Sequence, residues 1–257
     1  YSSSQPPTDT GSYRATATLN SGGYRGVATI KYTIVKKPVH LELTVEDATY
    51  DGSPHGAAVS AQDVEPEDYE VTYRSTNGTE YGPTGKAPTD AGSYTAEVKL
   101  VNPNMTGSQT TTYTISPAEQ VIEGKTNYAA TYGNAGIVFE NTAKTPVSYE
   151  VVPNEDGSPS PISIQGSYAS IISAGKAHVV AHATASQNYT AAKDVELTVD
   201  VSPAPLLVIV NDAERFEGER NPAFTSSLIS PASTTGVAVS YSCLADATSP
   251  AGGYEIG

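Results

Sequence analysis

Four glycines in related settings punctuate this chain: Gly11 in TDTGSYRATA, Gly92 in TDAGSYTAEV, Gly175 in ISAGKAHVV and Gly252 in SPAGGYEIG, separated by 81, 83 and 77 residues. Two further landmarks keep the same step. YTIVKKP closes on Pro38, YTISP on Pro117, and LTVDVSPAP contains Pro203. ATYDGSP surrounds Tyr50, ATYGNAG surrounds Tyr132 and ERFEGERNP surrounds Phe216, at spacings of 82 and 84 residues. A period near 80 is longer than the roughly 20–50 residues of a solenoid repeat and matches a small sandwich with its own core. The prolines supply the boundaries, because proline cannot donate to a β-ladder and stiffens the link to the next sheet. The expected organisation is the rear part of a repeat at 1–38, complete repeats at 39–117 and 118–203, and the front part of a repeat at 204–257.

Within each period the apolar residues alternate. Tyr94, Ala96, Val98 and Leu100 share one face, with Thr95, Glu97 and Lys99 on the other. The equivalent strand near the start sends Tyr13, Ala15, Ala17 and Leu19 inward. This is the period of a strand with one buried and one wet side. Each such strand runs into a Gly- or Asn-rich turn (NSGGYRG, NPNMTGSQ, SQNYTA) and a second alternating strand: Ile30, Tyr32 and Ile34, then Tyr113 and Ile115, then Val195, Leu197 and Val199. These read as terminal hairpins. Each repeat opens on another such face, Val39, Leu41, Leu43 and Val45 in the first complete copy. Helical periodicity is missing over any useful length, and 17 Tyr with no Trp and three Phe suit pleated, half-buried surfaces. The fold class expected is all-β: tandem immunoglobulin-like β-sandwich domains in an elongated array.

The net charge of −14, with only 14 Lys and Arg, argues against nucleic acid and against anionic membrane surfaces. It suits a surface that keeps neighbouring copies apart. Cys243 is the single cysteine, so no intrachain disulfide forms. The longest apolar run, PLLVIV at 205–210, is strand length, and no stretch of about 18 apolar residues spans a bilayer. The opening YSSSQPPTDTG has neither an initiator Met nor a signal-type segment, so the chain reads as an excised piece whose targeting information lies elsewhere.

The Asp-x-Gly-x-Tyr pattern of 9–13 and 90–94 has a structural logic. A tyrosine entering an inward-facing strand needs a partner for its hydroxyl, and a tyrosine corner supplies backbone a few residues upstream. The glycine is expected to turn with positive φ and the aspartate to bond the turn backbone. Antibody-type domains place a Cys two residues after this Tyr; here the position is Ala96, and Ala15 near the start. TYDGSP, DAGSY, the Asn-Tyr hairpin of SQNYTA and the closing YTISP together resemble the bacterial immunoglobulin-like repeats of the MBG and YDG type, which occur in tandem in large surface or secreted proteins. The resemblance covers nearly the whole chain. The corner residues are then Asp9, Gly11, Tyr13, Asp90, Gly92, Tyr94, Gly175, Gly252 and Tyr254, in a structural role. The third copy departs from the pattern with Ser173 for the Asp and Ala177 for the Tyr, and the fourth has Pro250 for the Asp.

No residues assemble into a catalytic, cofactor or metal site. His178 and His182 form H-x-x-x-H, but on a strand they share a face about 13 Å apart, too far for one ion. The acidic stretch DVEPEDYE at 63–70 lacks the alternating ligands and central Gly of a calcium loop. Gly22, Gly23 and Gly26 precede no helix and read as turn residues rather than a phosphate cradle. Cys243 has no base in its pattern, and no Lys, Asn and acid fall in register for an isopeptide bond. NGT, NMT and NYT at 77, 104 and 188 are formal glycosylation acceptors that read as turns. What the resemblance implies is a non-enzymatic stalk at the cell surface or outside the cell, without cofactor. Its partners are the neighbouring repeats of its own chain; the alternative is an adhesin contacting a host or glycan ligand, with Tyr69 and Tyr81 as the loop residues to test.

Overall fold

The structure, a computed structural model, describes residues 5–76 and 80–257. It is all-β among those residues apart from one three-residue 3-10 turn, and it divides into two compact units, 1–119 with 185–190, and 120–184 with 191–257.

The first unit begins with a hairpin of β1 (Gly11–Ser21) and β2 (Tyr24–Ile34), paired without interruption from Gly11↔Ile34 to Ser21↔Tyr24. Gly22 and Gly23, both at positive φ, close it, the geometry of a tight two-residue hairpin turn. The short strands β3 (Lys37–Pro38), β4 (Glu42–Thr44), β5 (Ala48–Thr49) and β6 (Ala58–Ser60) follow, then β7 (Tyr69–Ser75), β8 (Gly92–Leu100), β9 (Met105–Thr106) and β10 (Ser108–Ser116). One sheet runs β5-β10-β8-β7, and β4 pairs with β6 to form the opposing layer. Between them Leu41 and Leu43 meet Tyr73, Tyr94, Ala96, Val98, Leu100, Tyr113 and Ile115, all buried. The alternation in the sequence therefore sets the core directly. Thr95 is the exception: it lies on the expected outer face, opposite Arg74 and Thr112, yet is buried.

The second unit repeats this plan. β11 (Asn127–Thr131), β12 (Ile137–Val138), β13 (Val147–Val152), β14 (Ile162–Gln165), β15 (Tyr168–Ile171), β16 (Gly175–Ala183) and β17 (Val195–Ser202) give a sheet ordered β11-β17-β16-β13 facing β12-β15-β14. Its core joins Phe139, Ile162 and Ala169 to Ala177, Val179, Ala181, Leu197, Val199 and Val201. In both sheets a short edge strand runs parallel to the last strand, Ala48↔Ile115 in one and Tyr128↔Val199 in the other. The third sequence landmark sits at the end of that pairing: Tyr50 N–H donates to Ser116 at 2.8 Å and Tyr132 N–H to Ser202 at 2.9 Å. Residues beyond 203 form one more pair, β18 (Leu207–Val210) with β19 (Ser226–Ile229), and otherwise irregular chain.

One expectation needs correcting. The apolar face of the first hairpin does not point into a core: Ala15, Ala17, Leu19, Ile30 and Tyr32 are exposed, Ile30 by 66%. Alternation specifies which residues share a face, and a face is buried only where a second layer covers it. The second layer of the first unit, β4 with β6, belongs to the core around Tyr94.

Candidate functional site

The tyrosine of each Asp-x-Gly-x-Tyr stretch turns back on the residue four positions earlier. Tyr94 Oη donates to the Asp90 carbonyl at 2.7 Å, Tyr13 Oη to that of Asp9 at 2.8 Å, and Tyr254 Oη to that of Pro250 at 2.9 Å. The acceptor is a main-chain oxygen, so Pro250 serves as well as Asp, and the aspartate side chain is left for another use. At Asp9 and Asp90 that carboxylate accepts from the side-chain amides of Asn104 and Asn188.

The glycine two residues before the tyrosine holds the expected positive φ at Gly11 (156°), while at Gly92 contact explains it. The φ of Gly92 is outside the left-handed range expected for it; instead a Cβ there would sit 3.0 Å from Tyr94 Oη and 3.2 Å from Cζ. The ring lies directly over the backbone. Gly92→Ala is expected to cost about 1–3 kcal/mol, the range for overpacking, while Gly252→Ala, whose Cβ would find its nearest neighbour at 3.8 Å, is expected within about 0.5 kcal/mol of the parent. Denaturant midpoints of the two variants check this; equal losses would remove the contact as the reason.

Behind Tyr94 lies a cluster of rings. Tyr81 meets it edge-on at 5.6 Å and Tyr113 lies 5.8 Å away on the neighbouring strand. Each hydroxyl is satisfied: Tyr113 donates to His55 O at 2.8 Å, Tyr81 to Lys86 O at 2.8 Å, and Tyr73 accepts from Ala57 N–H at 3.0 Å. Burial raises the pKa of Tyr94 and Tyr81, with the Asp90 charge adding to it, and burial raises that of Tyr113. Tyr69 and Tyr81, named above as loop residues for a sugar, pack against this core.

The third copy holds its turn by other means. With Ala177 buried in place of a tyrosine, the Pro161 carbonyl accepts from both Ile172 N–H at 2.7 Å and Ser173 N–H at 3.2 Å. A Cβ on Gly175 would meet Pro161 at an ordinary 3.7 Å, so glycine is required there by its φ of 142° rather than by contact.

A family model described as the MBG domain matches residues 1–38 and 41–119. Residues 1–119 thus carry MBG-type repeats. No curated protein matches the sequence. Among solved structures, the chain is similar to the protocadherin GammaB4 extracellular domain (11% identity, 91% of this chain and 47% of that one, TM-score 0.30). It is also similar to extracellular domains 3–5 of Drosophila OTK (11%, 77% of each chain, 0.31) and to domains 4 and 5 of the S-layer protein SbsC (16%, 65% and 100%, 0.27). The chain thus spans about half the length of the protocadherin structure it matches.

The remaining candidates are drawn into local structure. His182 Nδ1 lies 2.7 Å from Asp194 Oδ1, while exposed His178 pairs across the sheet with Thr198 and Val152. In the acidic stretch, Asp68 caps its own turn through Glu65 N–H at 3.0 Å and accepts from Asn102 Nδ2 at 2.6 Å. That amide, then Glu65 N–H, holds the Asp68 carboxyl below the usual range. Asp63 lies 3.5 Å from Lys37 Nζ. Cys243 is half-buried and free, in an isolated bridge with Ile256. Among the described residues no three His, Cys, Asp or Glu side chains come together as a metal site, and no helix is long and apolar enough to cross a membrane. The NGT sequence at 77–79 lies outside the described residues. Sequence reasoning read Asn104 and Asn188 as turn residues and gave them no partner; the signal for one was N-x-T recurring 84 residues apart, in step with the repeat.

Proposed function

We propose that this chain is a non-enzymatic spacer of a bacterial surface or secreted protein, in which MBG repeats bounded at 1–38, 39–117, 118–203 and 204–257 hold other domains at a distance. The observation that carries the reading is the use made of the corner motif: the tyrosine hydroxyl returns to its own backbone at Tyr13, Tyr94 and Tyr254. A motif spent on its own fold supports architecture over chemistry. The acidic surface fits a chain that must not collapse on itself or on its neighbours.

A spacer must tolerate changes of length in whole repeats. Deleting residues 39–119 in frame joins the first hairpin to the third copy and is expected to leave the strand signal and melting of the second unit intact. In parallel, the intact chain is expected to show no saturable binding to panels of glycans and matrix proteins. Loss of the second unit's fold in the deletion variant would overturn modularity. Saturable binding that falls on substituting Tyr69 or Tyr81 would instead establish the adhesin.

A further inference from the structure

The two asparagines that reach the corner carboxylates do the same three things. Asn104 Oδ1 accepts from the N–H of Thr10, the residue after Asp9, at 2.8 Å; its Nδ2 donates to Asp9 Oδ1 at 3.1 Å; and its carbonyl accepts from Lys37 N–H at 2.8 Å. Asn188 Oδ1 accepts from the N–H of Ala91, the residue after Asp90, at 2.8 Å; its Nδ2 donates to Asp90 Oδ1 at 2.9 Å; and its carbonyl accepts from Ala118 N–H at 2.9 Å. Lys37 and Ala118 are themselves one period apart, each five residues beyond the tyrosine of a closing Tyr-Thr-Ile. One residue, through its side chain and its main-chain carbonyl, thus ties the corner of a repeat, and the segment leaving it, to the hairpin turn that comes later in the chain. All of these bonds fall inside the first compact unit, which takes in 185–190.

The surroundings prepare each asparagine for the task. Asn104 N–H is held by Asn102 Oδ1 at 2.9 Å, and the Asn102 amide in turn rests on Asp68. The exit segment pairs in parallel with the turn, Lys37↔Met105 and Pro38↔Thr106, and Ala118 forms the matching bridge to Tyr189. Around Asn188, Gln187 Nε2 adds a bond to Ala91 O at 3.0 Å and the Tyr189 ring meets Tyr50 edge-on at 5.4 Å. A carboxylate and a carboxamide complement each other only when the amide nitrogen faces the acid and its oxygen faces an N–H. Both instances satisfy that condition.

We infer that the Asp-x-Gly-x-Tyr corner is a docking site for an Asn-x-Thr hairpin turn that comes about one repeat later in the chain, and that the Asp–Asn pair fixes that turn on the corner. The partner is therefore another copy of the same repeat type, recognised by an amide that spans an acid and the next main-chain N–H. The rule also marks where docking stops. Ser173 and Pro250 offer no carboxylate, and the NSGGYRG turn of the first hairpin has no Asn-x-Thr to present.

The inference takes the proposed repeat boundaries as given. Ligand binding by the chain would overturn the spacer and leave this test untouched. The test is amide hydrogen exchange, resolved by residue, on the full chain. In Asn188→Ala and in Asp90→Ala the Ala91 amide is expected to exchange about tenfold faster, as loss of one net hydrogen bond implies, while amides in the core of β8 keep their protection and report an intact fold. Asn188→Asp places two carboxylates face to face and is expected to exchange faster still. Combining it with Asp90→Asn restores a donor opposite an acceptor and is expected to recover most of the protection. Failure of the exchanged pair to recover, or equal exchange in Asn188→Asp and Asn188→Ala, would overturn the pairing. The same set at Asp9 and Asn104, read at Thr10, is expected to follow the same order; a different order there would overturn the rule as a property of the repeat.

Discussion

Truncating Tyr94 to alanine is expected to remove about 3–5 kcal/mol from the first unit, the range for deleting a large buried aromatic. Its ring is 1% exposed, is flanked by Tyr81 and Tyr113, and rests on the Gly92 backbone, so little can collapse into the space. Each kcal/mol lowers the melting temperature of a domain this size by about 4–8 °C, which makes the loss large on a melting curve. Tyr94→Phe separates the two contributions: it keeps the ring, leaves the Asp90 carbonyl without its donor, and is expected to cost about 0.5–1.5 kcal/mol. Tyr254→Ala is the control. It removes the same hydroxyl-to-carbonyl bond from a ring that is 42% exposed, and its effect is expected to be at most about 1 kcal/mol. Comparable losses from Tyr94→Ala and Tyr254→Ala would mean that the bond, rather than ring burial, carries the corner.

Alkali should separate the two units. Burial raises the folded-state pKa of Tyr81, Tyr94 and Tyr113 in the first unit and of Tyr128 in the second. In the unfolded chain these phenols ionise near pH 10. Above that pH the unfolded state has lost protons that the folded state retains, so stability falls as pH rises. Below it the contribution is whole. Three such tyrosines against one make the first unit the more sensitive, and Tyr81, Tyr94 and Tyr113 each donate a hydrogen bond that an ionised oxygen cannot make. Denaturant midpoints from about pH 8 to 11, followed by resonances assigned to each unit, are expected to drop sooner and further in the first, and Tyr113→Phe should flatten part of that drop. A midpoint for the first unit that stays level across the range would refute the assignment.

The sequence was most informative where one strand's alternation met a covering layer. Tyr94, Ala96, Val98 and Leu100 could be read as a buried face because β4 and β6 lie opposite them. The same pattern at Tyr13, Ala15, Ala17 and Leu19 predicts an equally buried face, and there it misleads, since periodicity along a strand carries no information about what faces it. The positive φ expected of the corner glycines holds at Gly11 and Gly175 but not at Gly92, where a ring folded over the backbone leaves the same one-letter trace as a left-handed turn. Asn104 and Asn188 were legible as turn residues, but their pairing was hidden for another reason. Their partners lie 95 and 98 residues earlier in the chain, and a polar residue in a polar turn has no local pattern to betray a distant acceptor. Only their spacing, in step with the period, marked them.

The parallel pairing of Lys37–Pro38 with Met105–Thr106 has a mechanical consequence. A pull transmitted along the main chain runs along β3, whereas the bonds that hold it, Lys37 N–H to Asn104 O and Val39 N–H to Thr106 O, lie across it. Tension therefore arrives as shear and is shared between the two bonds; peeling would load them one at a time. A hairpin tip lying alongside the exit segment thus acts as a lap joint, at the place where a serial chain of small sandwiches would otherwise hang on bare peptide.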